Sequence, residues 1–466
     1  MFKSPPKVKQ ALYKLFAISA SSPLRRRIIK GLGANTFGQV INIAIQLTSV
    51  PIFLHFWGAD LYGKWLILSS LPGYLSMSDI GFGSVAGNEM TMLTARQDYQ
   101  GASRVFQSAW VFVTSVCSVI SILVIALAYL LPFNSWFNLE PLPRNQVSLI
   151  ISLLALYTLV SQQGGLIDAA FRSDGRYAQG TALANVVRFM EMALALISVT
   201  LGGQLVTVAS TLLVGRILGL GWMWLMFRRA SQWLNLGYAK ACWETIQKML
   251  KPAIAFMAIP TSNALIFQGM TLTVGALFDP VAVVIFTTSR TVTRIVIQFI
   301  TLINCAVWPE LSSAFGSGNL RLLRDLHQKA SLFSLWLSIV IAIVLVFIGP
   351  WLLYVWTDGH VAVDILLFYL MLILVISSSL WQSSSVLLMA TNTHGSLAKI
   401  TLIGSVVGVI LAYILLNLMG LSAAPIALLA TDIIIGFYAV RKAILVSEGK
   451  FLVYLRSLFE LKTILN

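Results

Sequence analysis

The sequence predicts an all-α polytopic membrane protein with 12 transmembrane helices in two six-helix lobes. Composition, the spacing of apolar segments and an internal repeat support this prediction. Of the 466 residues, 58% are hydrophobic and only 11% are charged, and the mean hydropathy is +0.85. Soluble domains carry about 25% charged residues, so the chain is expected to be integral to a membrane.

Twelve apolar segments each reach the roughly 20 residues that a membrane-spanning helix requires. They lie at about 31–56, 61–86, 104–131, 146–170, 179–200, 205–227, 252–276, 281–308, 330–355, 363–390, 398–418 and 421–442.

The basic residues predict the orientation and account for the net charge of +15. Of the 32 lysines and arginines, 26 lie in or next to the tails and loops on the side of the N-terminus, one (Arg144) lies on the other side, and five lie within segments. Cytoplasmic loops carry such an excess of lysine and arginine. Both termini are therefore expected on the cytoplasmic side of a bacterial inner membrane. The net charge is then explained by membrane topology and does not indicate a nucleic-acid partner. The basic N-terminal segment, 1–30, is interpreted either as a solvated tail or as a helix on an anionic leaflet.

An internal repeat divides the chain. Ala170–Ala178 aligns with Ala390–Ala398 at an offset of 220, and Glu89, Gln107 and Ala109 match Glu310, Gln328 and Ala330 at an offset of 221. Because six is even, both halves enter the bilayer from the same side, which predicts a pseudo-twofold axis along the membrane normal. The predicted parts are an N-lobe at 31–227, a cytoplasmic linker at 228–251, a C-lobe at 252–442 and a C-terminal segment at 443–466.

A polar stripe inside the eighth segment is the strongest candidate for a binding site. Arg290, Arg294 and Gln298 are spaced four apart, so they share one helix face. An arginine at mid-membrane costs roughly 2.5 to 3.5 kcal/mol on insertion scales, which favours a wet cavity or a partner charge. At an offset of 220 the two arginines match Ser70 and Tyr74, so the site is expected to be asymmetric.

The first segment carries a second stripe. Asn35, Gln39, Asn42 and Gln46 recur at intervals of four, three and four residues, which places them on one helix face. Such a face lines either a cavity or a contact between helices.

Further charges lie within the segments. Arg188 and Glu191 are three apart in the fifth segment and are expected to pair, either as a structural ion pair or in proton or cation coupling. Arg216 and Asp432 are further buried-charge candidates, and Lys64 lies near the outer interface and is able to snorkel.

The second segment contains Pro72, which bends a helix and is either a hinge for gating or a static kink. Asp79 near its cytoplasmic end is a coupling candidate or is simply solvated.

The deep arginines outnumber the deep carboxylates, which predicts a cavity that selects an anion. Guanidinium groups suit phosphate oxygens. No P-loop, metal cluster or catalytic arrangement is present in the sequence, so no cofactor or metal and no enzymatic activity are expected. Energy would come from a proton or sodium gradient or from the substrate gradient.

The stretch Gly33–Met90 resembles the Wzx-like O-antigen and exopolysaccharide flippases, the polysaccharide transporter branch of the multidrug/oligosaccharidyl-lipid/polysaccharide (MOP) exporter superfamily. The resemblance rests on the opening Gly33-Ala34-Asn35, Pro51, Trp57-Gly58, Tyr62-Gly63 with Trp65, and Ser78-Asp79-Ile80-Gly81-Phe82-Gly83. It implies a MATE-like fold around a central cavity. Related flippases line this cavity with cations on the first, second, seventh and eighth helices; Arg290 and Arg294 fit this placement, whereas the first helix offers amides.

The resemblance further implies transport of undecaprenyl-diphosphate-linked oligosaccharide for O-antigen, lipopolysaccharide or exopolysaccharide synthesis. Membrane lipids, a polysaccharide polymerase and other biosynthesis proteins are the expected partners, and a monomer is the expected state. Two alternatives stay open: a cation-coupled multidrug antiporter on the same fold, and a membrane polysaccharide polymerase or glycosyltransferase.

Overall fold

The twelve-helix prediction is confirmed. A computed structural model of the chain describes residues 23–75 and 82–459, and its regular elements there are all helical. Ten helices in this part are long and apolar enough to cross a membrane. One of them, Gly33–Ser70, makes two passes because it bends at Gly58, where φ is 68° and ψ is 176°. The seventh pass consists of three shorter helical pieces and completes the twelve.

The helices follow the predicted order. The first and second passes share Pro23–Leu75, and the second also includes Phe82–Ala95. The third to sixth passes are Tyr99–Leu130, Arg144–Ser173, Tyr177–Thr200 and Leu205–Ala230. The seventh comprises Trp243–Ala264, the π-helix Leu265–Gly269 and Met270–Leu277, and the eighth comprises Pro280–Thr293 and Ile295–Gly316. The ninth to twelfth are Leu320–Trp356, Ile365–Ala390, Gly395–Met419 and Ala423–Val446, followed by the short helix Phe451–Ser457.

The connections lie alternately at two ends of the molecule. We call the terminal face the end that holds the connections at 96–98, 174–176, 231–242, 317–319 and 391–394, where the twelfth pass also ends. We call the far face the end that holds the bend at Gly58 and the connections at 131–143, 201–204, 278–279, 357–364 and 420–422.

The buried apolar side chains show that the two lobes meet at the far face. One core cluster there includes Leu54 and Ile150 of the first lobe together with Phe286 and Leu367 of the second. Toward the terminal face the lobes have separate clusters, one around Phe82, Phe106 and Phe227 and another around Leu311, Leu387 and Ala439. Because burial of apolar area is the main packing force between such surfaces, the lobes are joined by a shared core at the far face, whereas at the terminal face each lobe has a core cluster of its own.

The backbones of the two lobes approach each other closely at the far face. A Cβ atom built on Gly63 would lie 2.0 Å from the carbonyl oxygen of Pro280 in the other lobe, so only glycine fits at this crossing. Two of the hydrogen bonds between the lobes lie toward this face. The Asn138 amide donates to the carbonyl of Phe278 at 3.0 Å, and the Trp356 indole donates to the carbonyl of Leu47 at 3.1 Å.

The two lobes repeat in conformation as well as in order. Asp98 and Asn319, 221 residues apart, both cap a helix by accepting a hydrogen bond from the backbone N–H three residues on. The fourth pass has 30 residues and the tenth has 26, so the offset falls to 217 where these helices end at Ser173 and Ala390. The sequence alignment of 170–178 at an offset of 220 therefore misplaces this turn by three residues.

The linker packs on the first lobe. Gln107 in the third pass accepts a hydrogen bond from the backbone N–H of Lys240 at 2.7 Å and donates to the carbonyl of Asn235 at 3.1 Å. The beginning of the seventh pass continues this contact, since Met249 and Ala253 are buried in the first-lobe cluster.

Candidate functional site

The site in the second lobe is built on two helix irregularities that face each other. The seventh pass changes to a π-helix at Leu265–Gly269, and the eighth pass is interrupted at Arg294 between its two helices. A π-helical segment within an α-helix is rare and is frequently found at functional sites. Here the carbonyl of Phe267, within the π-helix, accepts a hydrogen bond from the Arg290 guanidinium at 3.0 Å.

Both arginines of the eighth pass gather around one aromatic ring. The guanidinium carbon of Arg294 lies 4.0 Å from the centroid of the Phe267 ring, and that of Arg290 lies 5.4 Å from it. Arg290 also lies 5.0 Å from the Phe286 ring and donates to the Thr271 hydroxyl at 3.2 Å. Within the described residues, no carboxylate comes within 4.0 Å of either arginine. Neutral dipoles and ring faces thus hold both cations, and neither charge is neutralised.

These side chains line a cavity of about 200 Å³ between the seventh, eighth, tenth and twelfth passes. Asp432 of the twelfth pass lies in the same cavity. Its carboxylate accepts hydrogen bonds from the hydroxyls of Ser377 and Ser378 at 2.7 and 2.8 Å and from the indole of Trp381 at 3.0 Å. The second-lobe cavity therefore holds two unpaired cations and one anion that neutral donors satisfy.

A comparable cavity of about 300 Å³ lies in the first lobe, between the first, fourth, fifth and sixth passes. Arg188, Arg216 and Glu191 line it together with Tyr157. Arg216 forms an ion pair with Glu191 at 2.8 Å and donates to the Tyr157 hydroxyl at 2.8 Å. One of the two arginines of this cavity is therefore neutralised.

The expected pairing of Arg188 with Glu191 is wrong. Glu191 is only 3% exposed and faces the sixth pass, where Gly215 leaves room for it: a Cβ on Gly215 would lie 3.2 Å from the Glu191 Cγ. Arg188 is exposed and turns to the first pass, where it donates to the Asn42 side-chain oxygen at 2.8 Å.

The amide stripe of the first pass divides between the two roles considered for it. Asn35 accepts a hydrogen bond from the Tyr177 hydroxyl at 3.2 Å and serves helix contact. Asn42 accepts one from Arg188 and also lines the first-lobe cavity. Gln46 lines the first-lobe cavity and accepts a hydrogen bond from Gln298 of the eighth pass at 3.4 Å. Gln39 is exposed. The Gln46–Gln298 contact joins the two stripes across the lobes, between the two cavities.

The remaining candidates lie away from both cavities or outside the described residues. Lys64 is 3% exposed, and its amine forms an ion pair at 2.7 Å with the exposed carboxylate of Asp60 one turn earlier, beside Gly63 at the far face. Asp79 lies outside the described residues, as does the side chain of Pro72.

Sequence reasoning missed the neutral groups that hold the charges. Phe267 and Tyr157 are ordinary apolar-segment residues by sequence, and nothing in the pattern marks them. Ser377 and Ser378 begin a run of three serines inside the apolar tenth segment. This run is a signal that could have identified the partner surface of Asp432.

Two helical lobes that share a core at one face, with charged cavities between passes, form a polytopic membrane protein. Comparison with solved structures identifies the fold. A multidrug resistance MATE family transporter of the MOP superfamily in its inward-facing conformation matches with a TM-score of 0.72 and 14% identity, over 90% of this chain and 99% of that chain. An outward-facing structure of such a transporter matches with a TM-score of 0.60 and 13% identity, over 91% and 95%.

A MOP superfamily transporter from Pyrococcus furiosus, described as having a binding pocket of reverse polarity that suggests a different function, matches with a TM-score of 0.61 and 12% identity, over 91% and 95%. No sequence family and no curated protein matches the chain. The chain thus has the fold of the MOP superfamily transporters.

Proposed function

We propose that this protein is a flippase that moves undecaprenyl-diphosphate-linked oligosaccharide from the cytoplasmic to the periplasmic leaflet for O-antigen or exopolysaccharide synthesis. The observation that carries the proposal is the pair Arg290 and Arg294, which are held on the Phe267 ring with no carboxylate partner among the described residues. Two guanidinium forks one helical turn apart suit the oxygens of a diphosphate.

The size of the cavity supports binding of the substrate's diphosphate head group there. A volume of about 200 Å³ lies below the roughly 300 to 1,000 Å³ typical of pockets that hold a drug-sized ligand. It suits a diphosphate, whereas an oligosaccharide requires the wider space between the lobes. Gln46 borders that space, since it contacts Gln298 of the other lobe, and the exposed Gln39 lies two turns earlier in the same stripe. Their amides supply the donors and acceptors that sugars use.

The arrangement of the cores suggests which step of alternating access the structure represents. The lobes share one core cluster at the far face and have separate clusters at the terminal face, where the beginning of the seventh pass packs on the first lobe. If the excess of basic residues places the terminal face in the cytoplasm, the cavity receives substrate from the cytoplasmic leaflet. In the proposed mechanism the lobes then rock to open the far face, while the lipid tail stays in the bilayer.

The energy source and the partners belong to the same proposal. Asp432 shares the cavity with both arginines, so a proton or sodium ion at its carboxylate would change the charge that the diphosphate meets. A monomer suffices for this mechanism, because the two lobes supply both halves of the alternating-access unit. A polysaccharide polymerase would consume the transported unit.

The test is a double substitution, Arg290→Ala with Arg294→Ala, in a strain that depends on this protein for its surface polysaccharide. Removing both cations is expected to lower surface polysaccharide at least tenfold and to accumulate lipid-linked oligosaccharide, measured by extraction and chromatography.

The matched control, Arg104→Ala with Arg321→Ala, removes two exposed arginines near the terminal face and is expected to leave both quantities unchanged. Unchanged polysaccharide in the cavity variant at a normal protein level would refute the proposal.

A cation-coupled multidrug antiporter is the second candidate, favoured by Asp432. No cation of the described residues pairs with its carboxylate, so it is able to accept one from a substrate or an ion. In this case Asp432→Asn would abolish drug resistance conferred by the protein, whereas the arginine pair would be dispensable. The enzyme alternative has no support, since the matched structures described above are transporters.

A further inference from the structure

Three side chains of the types that ligate metal ions, contributed by both lobes, meet at the far face. His55 lies near the end of the first pass, and Asp358 and His360 lie in the connection between the ninth and tenth passes. One ligand atom from each lies within 4.8 Å of the others, and all three residues are exposed. The His55 Nδ1 lies 3.9 Å from an Asp358 carboxylate oxygen. Neither cavity nor the proposed transport mechanism uses this cluster.

The local backbone structure positions the two second-lobe residues of this cluster, Asp358 and His360. The ninth pass ends in a turn in which the N–H of Gly359 donates to the carbonyl of Tyr354 at 2.9 Å and that of His360 donates to the carbonyl of Thr357 at 3.0 Å. Asp358 adopts a φ of 51° within this turn, a left-handed conformation that Asp tolerates better than most residues. The turn therefore fixes the relative positions of Asp358 and His360.

The donor set selects a particular kind of cation. Two imidazole nitrogens and one carboxylate oxygen are common ligands of Zn²⁺, with a fourth position open to water. Calcium and magnesium prefer oxygen ligands alone. Bonds of about 2.0 to 2.1 Å in a tetrahedral site place ligand atoms roughly 3.3 Å apart, which these exposed side chains reach by small rotations.

We propose that His55, Asp358 and His360 bind a divalent transition-metal ion, with Zn²⁺ as the preferred one, that bridges the two lobes and holds the far face closed. His55 belongs to the first lobe and the other two ligands belong to the second, so rocking of the lobes separates them. An ion that binds all three ligands has a higher affinity for the closed far face and shifts the population toward it. The inference does not depend on the identity of the transported substrate.

The test measures Zn²⁺ binding to the purified, untagged full-length protein by isothermal titration calorimetry. One ion per chain is expected to bind, and His55→Ala and His360→Ala are each expected to weaken binding at least tenfold. Loss in both variants shows that both lobes contribute ligands. The control His394→Ala removes a histidine at the terminal face and is expected to change nothing. Wild-type affinity in either far-face variant overturns the proposal.

A second variant tests whether the ion bridges the lobes without changing any of the three ligand residues. Gly63→Ala forces the second-lobe backbone at Pro280 away from the first lobe, because its Cβ would lie 2.0 Å from that carbonyl. Gly221→Ala is the control, since nothing lies within 4 Å of its Cβ position. Zn²⁺ affinity is expected to fall at least tenfold in Gly63→Ala and to stay unchanged in the control. Equal affinity in the two variants overturns the bridging role.

Discussion

The two cavities contain the same number of charges but hold them differently. Each has two arginines and one acid. In the first lobe the acid neutralises a cation, because Glu191 pairs with Arg216 at 2.8 Å. In the second lobe Asp432 is held by two serine hydroxyls and an indole, and both arginines stay unpaired.

Whether an arginine is paired with a carboxylate affects how strongly it attracts an anionic ligand. A buried ion pair satisfies its own members and has little left for a ligand, while an unpaired cation on neutral donors keeps its attraction for an anion. Under the proposed function, this difference favours a mainly structural role for Glu191 with Arg216 and a binding role for Arg290 with Arg294. It also retains the asymmetry expected from the sequence, although the first lobe has cations of its own.

The largest expected effect is on stability. Glu191→Gln leaves Arg216 buried without its counter-charge, and breaking a buried pair in this way typically costs 3 to 5 kcal/mol. Because Arg216 is 17% exposed, a loss of about 3 kcal/mol is expected. A lower midpoint of thermal unfolding in detergent, followed by intrinsic tryptophan fluorescence, measures it.

The matched change in the other lobe, Asp432→Asn, keeps an oxygen acceptor for the donors, and serine hydroxyls are able to reorient toward the new amide. A loss of only about 1 kcal/mol is expected there. If Asp432→Asn destabilises the protein as much as Glu191→Gln, the distinction between the two cavities fails.

The fold could be predicted from the sequence because the signal that determines it, the number and order of long apolar segments, does not depend on the exact helix ends. Twelve runs of about 20 apolar residues have few alternatives in a bilayer, where every backbone group must be satisfied within a helix. The helix ends were harder to place. The ninth pass begins at Leu320, ten residues before the predicted segment, because residues 320–329 continue the helix with a polar face that hydropathy does not detect.

The candidate site was predicted only in part, for a different physical reason. An arginine in an apolar segment is visible in the sequence, so Arg290, Arg294, Arg188 and Arg216 were all found. Their partners depend on how helices pack. Glu191 faces Arg216 because of the space at Gly215, and the π-helix around Phe267 has no sequence pattern that distinguishes it from an ordinary helix.

The second prediction concerns ligand binding and compares one arginine from each cavity. Arg294→Lys keeps the charge but loses the planar group that lies 4.0 Å above the Phe267 ring and the forked donors that fit a phosphate. Affinity for farnesyl diphosphate, a short prenyl diphosphate used as the probe, is expected to fall about tenfold, or roughly 1.4 kcal/mol.

Arg188→Lys is the matched change in the first lobe. A lysine is able to keep the single hydrogen bond to Asn42, so less than a twofold change is expected. Both constants come from calorimetric titration in detergent. A larger loss in Arg188→Lys would move the diphosphate site to the first lobe and reverse the comparison.

The smallest expected effect tests the aromatic rings beneath the arginines. Phe267→Leu keeps the apolar contact and the backbone carbonyl that accepts from Arg290, but it removes the ring face. Affinity for farnesyl diphosphate is expected to fall about threefold, since cation–π contacts at partly exposed sites contribute about 0.5 to 1 kcal/mol.

The counterpart in the first lobe is Tyr157, whose ring centroid lies 5.2 Å from the Arg216 guanidinium carbon. Tyr157→Leu removes that ring together with the hydroxyl bonded to Arg216, in a cavity where the cation is already neutralised by Glu191. It is therefore expected to lower the unfolding temperature and to leave diphosphate affinity within twofold of the wild type. If the two rings affect binding equally, the second lobe is not the distinct anion site that the unpaired arginines indicate.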